Sequence, residues 1–143
     1  MNKYGPVIII EDDYDDQFLL DIAFKKLGYA NEVLYFFDGQ QALDYLQDTT
    51  VTPFLILSDI NMPRLDGFAL RDKIQMDANL QRRCIPYLFF STAVSQDMVV
   101  NAYSLSAQGF FIKPNTLPEL ETTISVIMEY WIRCASPNSF NAP

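Results

Sequence analysis

From Val7 to Asp16 the chain reads VIIIEDDYDD, four β-branched residues followed by five carboxylates in six positions. Carboxylates this close raise one another's pKa unless something positive intervenes. They therefore face water, or some of them converge on a cation. Three later apolar runs also end in residues able to do chemistry. Phe54–Leu57 is followed by Ser58 and Asp59, Tyr87–Phe90 by Ser91 and Thr92, and Phe110–Ile112 by Lys113 and Pro114. Acids, a hydroxyl and a lysine suit two linked tasks. The carboxylates can hold a hard divalent cation through oxygen. A carboxylate placed in line with a donor can also attack a phosphoryl group, whose charge a cation and a lysine then neutralise. Taken singly, each residue has a plainer reading: Asp59 as a helix cap, Lys113 as a solvated charge, Ser91 as a strand end.

Composition narrows the field. The 143 residues are half hydrophobic and 14% aromatic, which points to one folded domain. Ten basic and 18 acidic side chains give a net charge of −8, against sequence-independent binding of nucleic acid, which needs a basic face. Histidine is absent, so histidine-based acid–base chemistry is excluded. Cys84 and Cys134 match no metal-site spacing and read as reduced thiols. No apolar run approaches the roughly 20 residues of a membrane span, and a cytoplasmic location follows by default.

The elements that must position these residues alternate. Apolar runs at Val7–Ile10, Val33–Phe37, Phe54–Leu57, Tyr87–Phe90 and Phe110–Ile112 lack period-two alternation, as strands covered on both faces do. Helical patterns lie between them. Asp16–Leu27 carries Leu19, Ile22, Ala23 and Leu27 on one face and ends at Gly28. Helices are expected over Gly39–Leu46, over Phe68–Met76 and after Ser95 as N-cap. The last begins at the capping box Thr116–Glu119, with Leu120, Ile124, Ile127, Met128 and Trp131 as its stripe. The segment DANLQRRCIP is expected to be a long loop, and residues 134–143 a loose tail after a domain spanning 1–133. Five strand–helix repeats predict an α/β doubly wound parallel sheet with right-handed crossovers. In such a sheet, ligands sit beyond the carboxyl ends of the strands.

With the acids, hydroxyl and lysine assigned to one sheet edge, the chain resembles the response-regulator receiver domain of the small chemotaxis-regulator type. The segments VIIIEDDYDD, LILSDINMPRLDG, LFFSTA and FFIKP carry the resemblance over roughly residues 5 to 133. It implies a five-stranded flavodoxin-like sheet of strand order 2-1-3-4-5. It makes Asp59 the phosphoryl acceptor and assigns Mg²⁺ to Glu11, Asp12, Asp59 and the Asn61 backbone carbonyl, with Glu11 acting through water. Lys113 is the matching lysine, Ser91 (or its neighbour Thr92) the switch hydroxyl and Phe110 the switch aromatic. Lys113–Pro114 falls at the family's cis-peptide position. Asp13, Asp15 and Asp16 are left as helix N-terminal charges, favoured by the helix dipole.

The same resemblance implies a stand-alone signalling switch that catalyses only its own phosphorylation and dephosphorylation. Its donor would be a histidine kinase or histidine phosphotransfer protein. Its output would pass to a downstream protein through the face built from the helix after Ser95, the fifth strand and the last helix, with dimerisation on phosphorylation and no contact with nucleic acid or membrane. Two other readings stand beside it. One is a receiver-fold interaction scaffold independent of phosphorylation. The other is a Mg²⁺-dependent aspartyl-phosphate phosphatase, although that class has a second Asp where this chain has Asn61.

Overall fold

The computed structural model describes residues 1–140. Five parallel strands form one sheet: β1 (Val7–Ile10), β2 (Val33–Phe36), β3 (Leu55–Ser58), β4 (Tyr87–Ser91) and β5 (Gly109–Ile112). Their order is β2-β1-β3-β4-β5, the order the resemblance implied. The central strands β1, β3 and β4 are buried along their whole length, which is why their sequences show no polar–apolar alternation. Side chains still alternate between faces. Ile8, Ile10, Ile56, Tyr87 and Phe89 pack into one core, and Val7, Ile9, Leu55, Leu57, Leu88 and Phe90 into the other.

Helices cover both faces: α1 (Tyr14–Leu27), α2 (Gly39–Asp48), α3 (Gly67–Met76), α4 (Ala78–Arg82), α5 (Gln96–Ser104) and α6 (Leu117–Arg133). Leu20 and Phe24 of α1 and Ile124, Ile127 and Met128 of α6 fill one core; Ala42, Leu46, Leu70, Ile74 and Ala102 of α2, α3 and α5 fill the other. The face anticipated for output is thus α5–β5–α6. Each helix begins at a side chain that accepts backbone amides: Asp13, Asp38, Asp66, Asp77, Ser95 and Thr116. Such a cap is worth about 1 kcal/mol and fixes where the chain turns from strand to helix.

Four local expectations change. The buried face of α1 is Leu20, Ala23 and Phe24, while Leu19 is 41% exposed. Capping by Asp13 starts this helix two residues earlier than expected, and Phe24 supplies the bulk. The segment DANLQRRCIP is not an open loop. Asp77 accepts the amides of Asn79 and Leu80 at 3.0 and 3.1 Å, starting α4, and Leu80 and Ile85 are buried. No cis peptide occurs among the described residues, so Lys113–Pro114 is trans here. After α6 the chain forms a 3-10 turn at Pro137–Phe140 with Ser136 only 2% exposed; the remainder of the expected tail, 141–143, lies outside the described residues.

Tyr87 ties the sheet to α3. Its ring is fully buried, its hydroxyl donates to the Gly67 carbonyl at 3.0 Å, and the Arg71 guanidinium lies 5.6 Å above the ring centre. Burial pushes its phenol above the usual range. Tyr87→Phe keeps the ring and removes the hydroxyl's bond, while that carbonyl, in the first turn of α3, keeps its helical partner. The expected loss is about 0.5–1.5 kcal/mol in urea unfolding, with the fold unchanged by circular dichroism.

Candidate functional site

The site is assembled at the carboxyl edge of the sheet, where β1, β3, β4 and β5 end. Parallel pairing sets the depth of each residue. Ile10 pairs with Ser58, so Glu11 and Asp59 emerge side by side, and the Asp59 amide donates to the Ile10 carbonyl at 3.0 Å. Ser91 pairs with Ile112, and the Lys113 amide donates to the Ser91 carbonyl at 2.9 Å. The switch of β1 between β2 and β3 opens the crevice in which such sheets bind ligands.

Three carboxylates meet there. Glu11, Asp12 and Asp59 each offer an oxygen within 4.8 Å of the others. Glu11 is buried, Asp12 exposed and Asp59 half-buried, so the cluster opens outward at Asp12. Lys113 enters from β5. Its Nζ lies 2.7 Å from Glu11 Oε2, 3.1 Å from Asp16 Oδ2 and 3.9 Å from Asp59 Oδ2. Burial raises the Glu11 carboxyl to about 7, opposed by the Lys113 hydrogen bond and charge. Burial would lower the Lys113 ammonium, but Glu11, Asp59 and Asp16 outweigh it and raise it. The pair is therefore an ion pair whose charges depend on each other.

The remaining bonds orient this set. Glu11 Oε1 accepts the Asp13 amide at 3.1 Å, and Gln17 Nε2 donates to the Glu11 carbonyl at 2.6 Å. Asp59 Oδ1 accepts the Ile60 amide at 2.7 Å, and Ser58 Oγ donates to the Asp59 carbonyl at 2.7 Å. Gly67 presses against the back of Asp59: a Cβ there would lie 2.2 Å from the Asp59 carbonyl oxygen. Ser91 is buried, with its hydroxyl donating to the Ala93 carbonyl at 3.3 Å, while Thr92 is exposed. Phe110 lies with its ring centre 5.9 Å from that of Phe89, packed toward the α2–α3–α5 core. Asn61 is exposed between buried Ile60 and Met62.

Glu11, Asp12, Asp59, Ser91 and Lys113 therefore share one edge, with Glu11, Asp12, Asp59 and Lys113 in one cluster, while Phe110 lies within β5, level with Phe89. Sequence reading missed the place of Asp16. With Asp13 as cap, Asp16 is the third helical residue, and its side chain turns back to Lys113 rather than serving only the helix dipole.

Residues 7–125 match the response regulator receiver domain family. The chain belongs to that family. Such a receiver is the signalling module of two-component systems, generally non-catalytic, and interacts with histidine kinases or phosphotransfer proteins and with downstream targets. The chain is 31% identical over 130 residues to the probable methanogenesis regulatory protein FilR2 of Methanothrix harundinacea, covering 88% of this chain and 83% of that protein. It is 27% identical over 131 residues to response regulator Rcp1 of Synechocystis, covering 88% of each. Among solved structures, the phosphorylated cyanobacterial phytochrome response regulator RcpA superposes with a TM-score of 0.83 at 28% identity, covering 92% of this receiver and 97% of that chain. The Mn²⁺-bound form of Rcp1 gives 0.79 at 27% identity, covering 92% and 99%. None of the helices in the described residues is long and apolar enough to cross a membrane.

Receiver domains bind Mg²⁺ at an acidic site, and the donors here fit that ion. Carboxylate oxygens within 4.8 Å of one another suit a hard cation that takes one or two carboxylates and keeps several waters. The cluster also holds more negative charge than the Lys113 ammonium can balance. Removal of that ammonium exposes the imbalance. Lys113→Ala leaves Glu11 and Asp59 buried or half-buried without it, and is expected to cost about 3–5 kcal/mol at neutral pH. Added Mg²⁺ should raise the melting temperature of this variant more than that of wild type, measured by calorimetry in matched buffers.

Proposed function

We propose that this receiver is a phosphorylatable switch, with Asp59 accepting a phosphoryl group from the phosphohistidine of a histidine kinase or phosphotransfer protein. The observation that carries this reading is the meeting of the Glu11, Asp12 and Asp59 oxygens within 4.8 Å, with the Lys113 ammonium 3.9 Å from Asp59 Oδ2. Asp59 Oδ1 is held by the Ile60 amide, which leaves Oδ2 to attack phosphorus in line with the leaving nitrogen. A carboxylate is a weak nucleophile, so the transfer depends on position and on neutralising charge. Lys113, drawn from its partners toward the transferred group, neutralises one phosphoryl oxygen. Mg²⁺, held by Asp12, Asp59 and the Asn61 carbonyl with Glu11 behind it, would supply the rest of that neutralisation.

The switch is read at β4 and β5. The Ser91 hydroxyl exchanges its long bond to the Ala93 carbonyl for a bond to the phosphoryl group, and Phe110 follows by repacking against Phe89. Both changes reach the α5–β5–α6 face, where a downstream target or a second receiver would bind. This is a shift between two states driven by a local charge event. Residues 1–133 constitute the receiver in this reading.

Incubation with acetyl phosphate or phosphoramidate and Mg²⁺ is expected to add one phosphoryl group to wild type, seen by intact-protein mass spectrometry. Asp59→Asn should gain none, and beryllofluoride should perturb the Ser91 and Phe110 resonances of wild type alone. Equal modification of both proteins would place the acceptor elsewhere. A wild type that neither takes phosphoryl nor responds to beryllofluoride would favour a phosphorylation-independent scaffold.

A further inference from the structure

The segment joining β3 to α3 carries Asn61, and it is fastened at two levels. Close to the strand, Ile60 and Met62 are buried in the core and the Gly67 amide donates to the Ile60 carbonyl at 2.8 Å. Beyond Pro63 the chain turns sharply. Arg64 adopts φ +65°, in the left-handed region, and the Leu65 amide donates to the Pro63 carbonyl at 2.7 Å.

The outer level is tied to the start of α2. Arg64 Nε donates to Asp38 Oδ2 at 3.2 Å and Nη2 to Oδ1 at 3.1 Å, while the Gly39 amide donates to the Leu65 carbonyl at 3.2 Å. Asp38 is 8% exposed and is anchored without Arg64, because it caps α2 by accepting the Gln41 amide at 2.8 Å. Gly39 permits the approach: a Cβ there would lie 2.3 Å from the Leu65 carbonyl oxygen.

An exposed ion pair is ordinarily worth little. This one sets a planar fork on a carboxylate that a helix cap already holds, so little further ordering is needed to form it. The backbone at Arg64 also speaks for the side chain. A turn needing only the left-handed conformation is served best by Gly, or by Asn. An arginine there accepts strain that the surroundings must hold, and the surroundings that hold it are Asp38 and Gly39.

We propose that Asp38 and Arg64 are positioning residues for phosphoryl transfer: their ion pair holds the β3–α3 segment, and with it the Asn61 backbone carbonyl, in register with Glu11, Asp12 and Asp59. The proposal rests on the reading of Asp59 as acceptor and of these acids as the Mg²⁺ site. Neither residue touches the reacting atoms. Each acts through the backbone between Asp59 and Gly67.

At Arg64 charge and position predict opposite signs: loss of the guanidinium charge alone would tighten Mg²⁺ binding, whereas loss of the clamp weakens it. Arg64→Gly relieves the left-handed strain and Asp38→Asn keeps a good helix cap, so both variants should melt near wild type. Calorimetric titration with Mg²⁺ is expected to show affinity falling about tenfold in each single variant. The double variant should be no weaker than either, as for two residues acting through one contact. Phosphorylation by phosphoramidate should slow at limiting Mg²⁺ and recover at saturating Mg²⁺. Tighter Mg²⁺ binding by Arg64→Gly with weaker binding by Asp38→Asn would mean that only their charges are felt, and would overturn the proposal. So would unchanged affinity in Arg64→Gly. If wild type binds Mg²⁺ and is phosphorylated while the variants match it, the clamp alone fails; if wild type does neither, the functional reading fails and takes the clamp with it.

Discussion

Everything at the carboxyl edge of this sheet depends on the Lys113 ammonium, which stands among Glu11, Asp16 and Asp59. Without it the carboxylates would repel across distances at which a protein interior screens poorly. With it they are held together but not balanced, because Asp12 adds a further negative charge. The residual negative charge is a property of the resting fold. It lowers the free energy of any divalent cation that enters, and it grows if the Lys113 ammonium is drawn away from Glu11 and Asp59. A single long side chain thus holds the site together, and in the reading proposed above the same side chain would serve the phosphoryl group.

Parallel pairing is what brings these groups to one level. Ile10 is paired with Ser58, Ser58 with Phe89, and Ser91 with Ile112, so acids, hydroxyl and lysine leave the sheet along one edge although about a hundred residues separate Glu11 from Lys113. A shift of one residue in any strand would turn that strand's functional side chain to another face. The two cores prevent such a shift, since alternate residues of β1, β3 and β4 are locked into opposite layers. The apolar packing therefore sets the electrostatics of the site.

Much of this was legible in the sequence because the signals were local. Four β-branched residues before Glu11, the cap-type residues Ser95 and Thr116, and the stripe of α6 each announce an element without reference to the rest of the chain. Strand order came from family resemblance rather than from periodicity. What escaped was tertiary. Asp16 looks like any acidic residue in a first helical turn until Lys113 arrives from β5. The five-residue α4 is too short to show a period, and its start rests on one capping aspartate, Asp77. Which face of α1 is buried turned on packing rather than on the count of aliphatic residues, with Phe24 taking the place expected of Leu19. The Asp38–Arg64 contact spans 26 positions and joins two segments that sequence reading treats as separate turns.

The close packing of Gly67 against Asp59 makes the two walls of the site mechanically unlike. On the β3–α3 side the Asp59 carbonyl has no room behind it, and Tyr87 and Ile60 grip Gly67 from both sides. On the β4–α5 side Thr92 to Asp97 are exposed and the Ser91 hydroxyl holds one long bond. In the reading proposed above, a group added to Asp59 would meet a stiff backing and a compliant front, and its displacement would be delivered forward, with the start of α3 as the anvil.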